Sequence, residues 1–198
     1  MFSDVTMSHW VANEGWLAYV VENKLMTGYA NSSLFGPDDP IQRGQVITAL
    51  YRYANPDSTA TTTDAASQRN TAGFTDLKDG MYYTEAINWA KQVGIMTGDA
   101  GTGYTTVRAE DGITRQELAC VLYRFAKLYG ADMSGNTAAS YTAAPDAGSV
   151  ASWASEGMGW CYAHKVMTGD AATGYLNPGN GATRAHMAKM MSVVLEAL

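Results

Sequence analysis

One tripeptide, Met-Thr-Gly, occurs three times in this chain and predicts its architecture. The copies begin at Met26, Met96 and Met167, which lie 70 and 71 residues apart. An arginine follows each Met by 17 to 19 residues, at Arg43, Arg115 and Arg184. Self-similarity at a fixed period indicates a repeat architecture. Because a unit of roughly 55 residues is marginally stable alone, we expect the three units to share a core.

The composition excludes several classes of protein. The chain has 198 residues, of which 46% are hydrophobic, with a net charge of −6 and a pI near 4.9. There is no basic stripe of the kind that nucleic-acid binding needs. No apolar run of about 18 residues predicts a membrane span, and no signal peptide is visible. Repeats that reach both ends of the chain predict a fragment of a longer protein.

Two polar segments without an apolar period divide the chain. Residues 55–72 and 130–140 are rich in small and polar residues and are predicted to be linkers or long surface loops. The predicted repeats are therefore residues 1–54, 73–129 and 141–198. The two cysteines, Cys120 and Cys161, leave a disulfide open, although two unpaired thiols are favoured.

Each repeat has the pattern helix, loop, helix. The first helices are predicted near residues 13–23, 83–93 and 152–163. The second helix is marked by an apolar stripe at positions i, i+3, i+4 and i+7, which in repeat 2 holds Leu118, Val121, Leu122 and Phe125. Because three such stripes can bury one another, we expect a mainly α fold with pseudo-threefold symmetry around a central helical bundle.

The start of the second helix is a candidate anion site. Thr114 and Glu117 form a predicted capping box, which places Arg115 at the first helical position. A cation is locally unfavourable at that end of a helix, yet an arginine recurs there in every repeat. A guanidinium beside a helix N-terminus is a good receptor for a carboxylate or phosphate. The alternative is that each arginine pairs with an aspartate of its own repeat.

An aspartate six or seven residues ahead of an aromatic side chain also recurs. The pairs are Asp4 with Trp10, Asp76 with Tyr82 or Tyr83, and Asp146 with Trp153. Exposed aromatic rings stack on sugar faces, and carboxylates accept hydrogen bonds from sugar hydroxyls. The alternative is that the aromatic residues belong to the core and each aspartate caps a helix or turn.

The sequence lacks the usual motifs of metal sites and of catalytic sites. The loop Gly98–Tyr104 and its near copy Gly169–Tyr175 lack the alternating oxygen ligands and late Glu of a calcium loop. The three histidines have no zinc-type spacing, and there is no nucleophile elbow or phosphate-binding loop. No carboxylate is marked as a glycosidase acid. The sequence therefore does not predict an enzyme.

The order of these motifs resembles the S-layer homology (SLH) domain in its usual tandem of three. Repeat 2 carries the full set: Phe74-Thr75-Asp76-Leu77, Tyr82, Gly98-Asp99 and Ile113-Thr114-Arg115-Gln116-Glu117. Repeat 1 carries Phe2-Ser3-Asp4-Val5, His9-Trp10, Gly28-Tyr29, Pro37-Asp38-Asp39-Pro40-Ile41 and Arg43. Repeat 3 carries Asp146, Trp153, Gly169-Asp170, Asn177-Pro178 and Thr183-Arg184-Ala185-His186. The resemblance covers nearly all of the chain apart from the linkers.

The resemblance implies a pseudo-trimeric spindle that anchors surface proteins to bacterial secondary cell-wall polysaccharides, commonly ones with pyruvate ketals. It implies that the motif arginine meets the ketal carboxylate in grooves between repeats, and that the aspartate, the aromatic residue and the loop glycine hold the sugar. It implies an extracellular, cell-wall or S-layer location, with no cofactor. The candidate ligand-binding residues are Asp4, Trp10, Gly28 and Arg43; Asp76, Tyr82, Gly98 and Arg115; and Asp146, Trp153, Gly169 and Arg184.

The repeats depart unequally from the family pattern. Gln42 is a poor cap and Gly44 weakens the helix start in repeat 1, which also has two extra residues between Trp10 and Gly28. His186 replaces the acidic residue of repeat 3. We therefore rank the grooves in the order two, three, one. Two alternatives to a binding module are a structural, protein-interaction or adhesion module with decayed grooves, and a wall-active hydrolase.

Overall fold

The fold is mainly helical, as the sequence predicts. The computed structural model describes residues 2–56 and 68–198, so most of the predicted linker at 55–72 lies outside the described residues. Within them there are seven α-helices, four short 3-10 helices and isolated bridges, but no β-strand. The α-helices are α1 (Trp10–Asn13), α2 (Trp16–Glu22), α3 (Arg43–Ala54), α4 (Thr84–Gln92), α5 (Arg115–Leu128), α6 (Ser155–Ala163) and α7 (Arg184–Glu196).

The second helix of every repeat begins at the motif arginine. α5 and α7 have the reciprocal capping box, with Thr114 and Thr183 as the capping residues. In α3 the backbone N–H of Gln42 donates to the Gln45 side chain at 3.1 Å. The predicted stripe of α5 is buried, and so are its α7 equivalents Met187, Met190, Met191 and Val194. The α3 equivalents are Val46, Ala49, Leu50 and Tyr53, of which the first three are buried and Tyr53 is half-buried.

The first helix of repeat 1 differs from its counterparts. The helix predicted near residues 13–23 is present as the shorter α2, and the chain forms an additional helix, α1, before a break at Gly15. Gly15 has φ of +81°, a left-handed conformation that ends α1 and that glycine adopts without strain. The break lies in the interval between Trp10 and Gly28, which is two residues longer in this repeat than in the others, and α2 begins after it at Trp16.

The Met-Thr-Gly tripeptide is a packing element. Each of its methionines is at least 96% buried, so the tripeptide anchors the end of the first helix in the core. Gly98 has φ of +96°, and a Cβ there would lie 2.8 Å from the Tyr104 carbonyl oxygen. The glycine is needed because the loop passes back over it. This explains the recurrence of the tripeptide without any ligand.

The described chain divides into two compact units. One unit comprises Met1–Ile41 and Ile113–Leu198, and the other comprises Gln42–Gly112. In the first unit α5 packs against α6 and α7, and α7 also packs against α1 and α2. In the second unit α3 packs against α4. The pseudo-threefold arrangement of all three repeats remains a prediction.

The segment predicted as a linker at 130–140 is a loop that packs on α6. The indole N–H of Trp160 donates to the Asp132 carbonyl oxygen at 2.8 Å, and the 3-10 helix Ala138–Tyr141 contacts α6.

Cys120 and Cys161 are unpaired and buried where α5 meets α6. Burial raises the pKa of the Cys120 thiol to about 11.

Candidate functional site

The motif aspartate of each repeat anchors the loop that leads into the second helix. Both carboxylate oxygens accept backbone N–H groups from two consecutive loop residues. The pairs are Phe35 and Gly36 for Asp4 (2.9 and 2.7 Å), Val107 and Arg108 for Asp76 (2.9 and 2.7 Å), and Leu176 and Asn177 for Asp146 (2.8 and 2.8 Å). Burial acts to raise the pKa of Asp4, but its backbone donors outweigh burial and lower the pKa overall. These aspartates hold the loops, and their direct contact with ligand remains a prediction.

The motif arginines bind the same loops from the other side. Each Nε donates to the carbonyl oxygen of the first loop residue in the following repeat. The bonds are Arg43 to Val107 at 2.9 Å, Arg115 to Leu176 at 2.8 Å and Arg184 to Phe35 at 2.7 Å. One peptide of each loop is therefore held between an aspartate and an arginine, an arrangement that we call the Asp–Arg clamp.

The helix N-terminus does not contribute to an anion receptor as the sequence predicted. In α5 the N–H of Arg115 donates to the Asn180 carbonyl oxygen at 2.9 Å, and that of Gln116 to the Pro178 carbonyl oxygen at 3.0 Å. The N–H of Glu117 donates to the Thr114 hydroxyl. The first two amides of α3 and α7 are bonded to loop carbonyls in the same way. This part of the prediction is wrong because the adjacent loop occupies the amides, so any anion must be bound by side chains.

A cavity in the first unit brings residues of all three repeats together. Its volume is about 530 Å³, within the range of small-molecule sites. Three of the twelve predicted site residues line it: Trp10, Arg115 and Gly169. Among the other thirteen lining residues, which sequence reasoning did not assign to the site, those with polar or aromatic side chains are Glu14, Trp16, Thr168, Asp170, Asn177, Asn180, His186 and Lys189. We call this cavity the Arg115 groove.

Arg115 is a buried cation whose terminal nitrogens are open to the groove. Only 8% of the residue is exposed, and its Nε is fixed by the Leu176 carbonyl. Among the residues that the structure describes, Nη1 and Nη2 make no hydrogen bond to protein, and no carboxylate lies within 4.0 Å. Burial lowers the pKa of Arg115, against the attraction of Asp146 and Asp170. The alternative pairing with an aspartate of its own repeat is therefore wrong for Arg115.

Two tryptophans of repeat 1 form an aromatic wall of the groove. The rings of Trp10 and Trp16 pack edge to face with centroids 6.1 Å apart. Trp10 keeps 39% of its surface exposed. Trp16 reaches the groove because the turn at Gly15 separates α1 from α2. The two extra residues of repeat 1 are thus the sequence signal that could have located this second aromatic residue.

His186 completes the cap of α7 as a neutral imidazole. Its Nδ1 accepts the backbone N–H of Thr183 at 3.1 Å, the role that the Glu117 carboxylate has in α5. Burial, followed by the charges of Arg115 and Lys189, lowers the pKa of His186 to about 4. Since Nδ1 is an acceptor in the neutral ring, the proton resides on Nε2. The histidine therefore preserves the cap without adding a negative charge to the groove.

The guanidinium of Arg184, unlike that of Arg115, is covered by protein groups. Its Nη2 donates to the Thr27 carbonyl oxygen at 2.6 Å. Its guanidinium carbon lies 5.0 Å from the ring centroid of Tyr29 and 4.6 Å from that of Phe35. The Tyr29 hydroxyl in turn donates to Asp39 at 2.7 Å. These contacts satisfy the side chain with protein groups.

In the second unit, the Arg43 side chain is also bonded to protein groups. Its Nη2 approaches the Met96 sulfur at 3.7 Å, and the residue is 6% exposed. Gly44, which weakens the helix in isolation, is required by close packing. A Cβ there would lie 2.9 Å from the Tyr83 ring and 3.1 Å from the Ala109 carbonyl oxygen.

The remaining predicted residues lie outside the Arg115 groove. Tyr82 and Trp153 are 46% and 59% exposed, so the alternative that they belong to the core is wrong for both. Gly28, like Gly98, lies where a loop carbonyl leaves no room for a side chain. Asp146 also lies outside the groove lining, but it holds the Leu176 peptide to which Arg115 is bonded.

The described residues form neither a metal-binding cluster nor a membrane-spanning helix. Within residues 2–56 and 68–198 there is no group of three or more His, Cys, Asp or Glu side chains placed to bind a metal ion. None of the helices described in these ranges has the length and apolar character of a membrane span.

Comparison with known proteins identifies the family of this chain and a distant relative. The family model described as the S-layer homology domain matches residues 2–47, 73–119 and 145–188. An amylopullulanase of Thermoanaerobacterium thermosulfurigenes is 29% identical over 187 residues. That match covers 92% of this chain but 9% of the amylopullulanase, so the similarity concerns a small part of that protein.

Proposed function

Because the chain belongs to the S-layer homology domain family of cell-surface anchoring modules, we propose that its Arg115 groove binds an acidic sugar of a bacterial secondary cell-wall polysaccharide. The acidic group is a pyruvate ketal, as the family resemblance suggests. The chain acts as a non-catalytic anchor in an extracellular location, within a longer surface protein.

The observation that carries this proposal is the state of the Arg115 side chain. A guanidinium presents two terminal nitrogens in a planar fork that matches a carboxylate. Here Nε is already fixed by Leu176 at 2.8 Å, which orients the fork before ligand arrives. Preorganisation of this kind lowers the entropy lost on binding. A ketal carboxylate in the groove would give the buried cation the partner that it lacks.

The aromatic wall supports a sugar as the rest of the ligand. Trp10 presents an exposed ring beside the groove, and its orientation is fixed by Trp16 and by the His186 ring at 5.8 Å. A pyranose has an apolar face that can stack on such a ring, while Asn177 and Asn180 at the groove offer amide groups for its hydroxyls. For this ligand the groove thus offers the Arg115 guanidinium, an aromatic surface and neutral amide groups.

Wall binding with matched variants tests the proposal. The purified chain should bind intact cell walls, and it should not bind walls stripped of their secondary polysaccharide or walls whose ketals have been removed by mild acid. Arg115→Gln should weaken binding at least about thirtyfold, because the ketal carboxylate would then lie in the groove without its cationic partner. Arg108→Gln, which removes one positive charge in the second unit, is the control and should bind as the unchanged protein does.

Two outcomes would contradict the proposal. If folded Arg115→Gln binds walls as well as Arg108→Gln does, the arginine does not hold the ligand. If stripped walls bind as strongly as intact ones, the polysaccharide is not the ligand, and the structural or protein-interaction role becomes the better account.

A further inference from the structure

A second cation, Lys189, shares the groove with Arg115. It lies on α7, one turn after His186, and is half-buried. Its Nζ donates to the Thr168 hydroxyl at 2.9 Å and lies 5.3 Å from the ring centroid of Trp16. An ammonium group has three protons to donate, so these contacts fix its position and leave donor capacity toward the groove.

The carboxylates near the groove do not neutralise Lys189. Among the described ion pairs none includes Lys189, and no carboxylate lies within 4.0 Å of its Nζ. Glu14 attracts Lys189 from a greater distance and is exposed to solvent. Asp170 is exposed, and one of its oxygens accepts two backbone N–H groups and the Thr173 hydroxyl.

The third helical position explains why Lys189 stays unpaired. In α5 that position holds the carboxylate of Glu117, whereas in α7 it holds the neutral His186. An acidic residue at 186 would lie three residues before Lys189 on the same helix face, the spacing of an intrahelical ion pair. The neutral histidine caps the helix but cannot form an ion pair with Lys189.

The second cation is also specific to this repeat. The residues five positions after the motif arginine are Thr48 in repeat 1, Cys120 in repeat 2 and Lys189 in repeat 3. Burial, followed by the like charge of Arg115, lowers the pKa of Lys189. Two cations that disfavour each other in one cavity are both relieved by a ligand that brings two negative charges.

We propose that Lys189 is a specificity-determining residue, and that the groove selects a saccharide with two acidic groups, one at Arg115 and a second carboxylate or phosphate at Lys189. This inference rests on the function proposed for Arg115. It adds that the sugar next to the ketal-bearing residue is itself acidic.

Synthetic disaccharides test the inference by calorimetric titration. All carry a pyruvate ketal on one sugar and differ at C6 of the second sugar, which is a hydroxymethyl group, a carboxylate or a 6-phosphate. Each is made in both sugar orders. The unchanged protein should bind at least one dianionic disaccharide about tenfold more tightly than the hydroxymethyl compound. The carboxylate and phosphate arms identify which acid the groove prefers.

Three variants separate recognition from packing. Lys189→Met keeps an apolar chain against Trp16 and should abolish the preference, which is measured as the ratio of the affinities for the dianionic and hydroxymethyl compounds. Lys189→Arg should retain the preference because it retains the charge. His186→Glu should weaken it several-fold, because the new carboxylate pairs with Lys189. Thermal unfolding of each variant establishes that it is folded.

The outcomes distinguish this inference from the proposed function. If the hydroxymethyl compound binds through Arg115 and the acidic compounds bind no more tightly than it does, the second subsite is refuted and the proposed function stands. If the preference persists in Lys189→Met, another group reads the second charge and the assignment to Lys189 is refuted. Failure of every disaccharide to bind would overturn both.

Discussion

Arg115 and Arg184 begin equivalent helices with equivalent bonds, yet they have different surroundings. Both are more than nine-tenths buried, and both donate from Nε to a loop carbonyl, at 2.8 Å and 2.7 Å. Beyond Nε they diverge. Arg184 donates to the Thr27 carbonyl and lies between two aromatic rings, whereas the terminal nitrogens of Arg115 face the groove.

The cause of the difference lies in the loop of the neighbouring repeat. The residue after the glycine of Met-Thr-Gly is Tyr29 in the loop beside Arg184 and Asp170 in the loop beside Arg115. The tyrosine ring covers the guanidinium, while the short aspartate leaves it accessible. An intact arginine motif therefore identifies the clamp, and the neighbouring loop decides whether the arginine can also bind a ligand.

The largest expected effect is on stability. Arg184→Ala removes partners from two carbonyls and the cation–π contacts, and we expect a loss of about 2 to 4 kcal/mol in the free energy of unfolding. Arg115→Ala removes one carbonyl partner and should cost about 1 to 2 kcal/mol. Urea unfolding of both variants measures the difference. Equal losses would show that the two side chains are used alike.

The second largest effect is expected when the aspartates of the Asp–Arg clamp are replaced. Asp4→Ala and Asp146→Ala should each lower the free energy of unfolding by about 2 kcal/mol, because each removes two hydrogen bonds to a charged acceptor. Their effects on wall binding should differ, since Asp146 holds the peptide that orients Arg115. We expect reduced binding in Asp146→Ala and unchanged binding in folded Asp4→Ala. Equal loss of binding in both would argue for direct ligand contact by the motif aspartates.

A smaller effect depends on pH through His186. Its folded pKa of about 4 lies below its ordinary value of 6.5, so the unfolded state binds the proton more readily between these values. The contribution is present in full above pH 6.5 and is lost as the pH falls toward 4. After allowance for solvent screening we expect a loss of about 1 to 2 kcal/mol.

The comparison variant for this titration is His186→Gln, which keeps an acceptor at the third helical position. Its free energy of unfolding should fall less than that of the unchanged protein between pH 6.5 and 4. Parallel pH dependences would mean that the imidazole is not held neutral by its surroundings.

The smallest expected effect concerns the aromatic cover of Arg184. Tyr29→Ala removes one cation–π contact and the bond to Asp39, and it should lower the free energy of unfolding by about 1 kcal/mol. The same change in a variant that already lacks Arg184 should cost less, because the two side chains are in contact. Strict additivity in this double-mutant cycle would show that Tyr29 does not cover the arginine.

The periodic features of this chain were predictable from its sequence. The three second helices, the cap at Thr114 and the arginine at the first helical position all follow from local patterns. Arg115 was ranked highest because only repeat 2 keeps the full motif. The family match confirms the three repeats that the Met-Thr-Gly spacing predicted.

The features that were missed depend on contacts between distant residues. Arg115 is 61 positions from Leu176, and no local pattern indicates that the loop before α7 occupies the amides of α5. The same holds for Lys189, which becomes a groove residue only when α7 packs beside the tryptophans of repeat 1. The two extra residues of repeat 1 and His186 were visible as departures from the family pattern, but their effect on the groove required the fold.

The most direct test is a crystal structure of the chain with a pyruvylated disaccharide from the wall polymer. The account predicts that the ketal carboxylate lies within hydrogen-bond distance of Arg115 Nη1 and Nη2, with a sugar face against Trp10 and the Arg184 guanidinium still bonded to Thr27. A carboxylate bound at Arg184 with Tyr29 displaced, or a ligand that leaves the terminal nitrogens of Arg115 unoccupied, would contradict it.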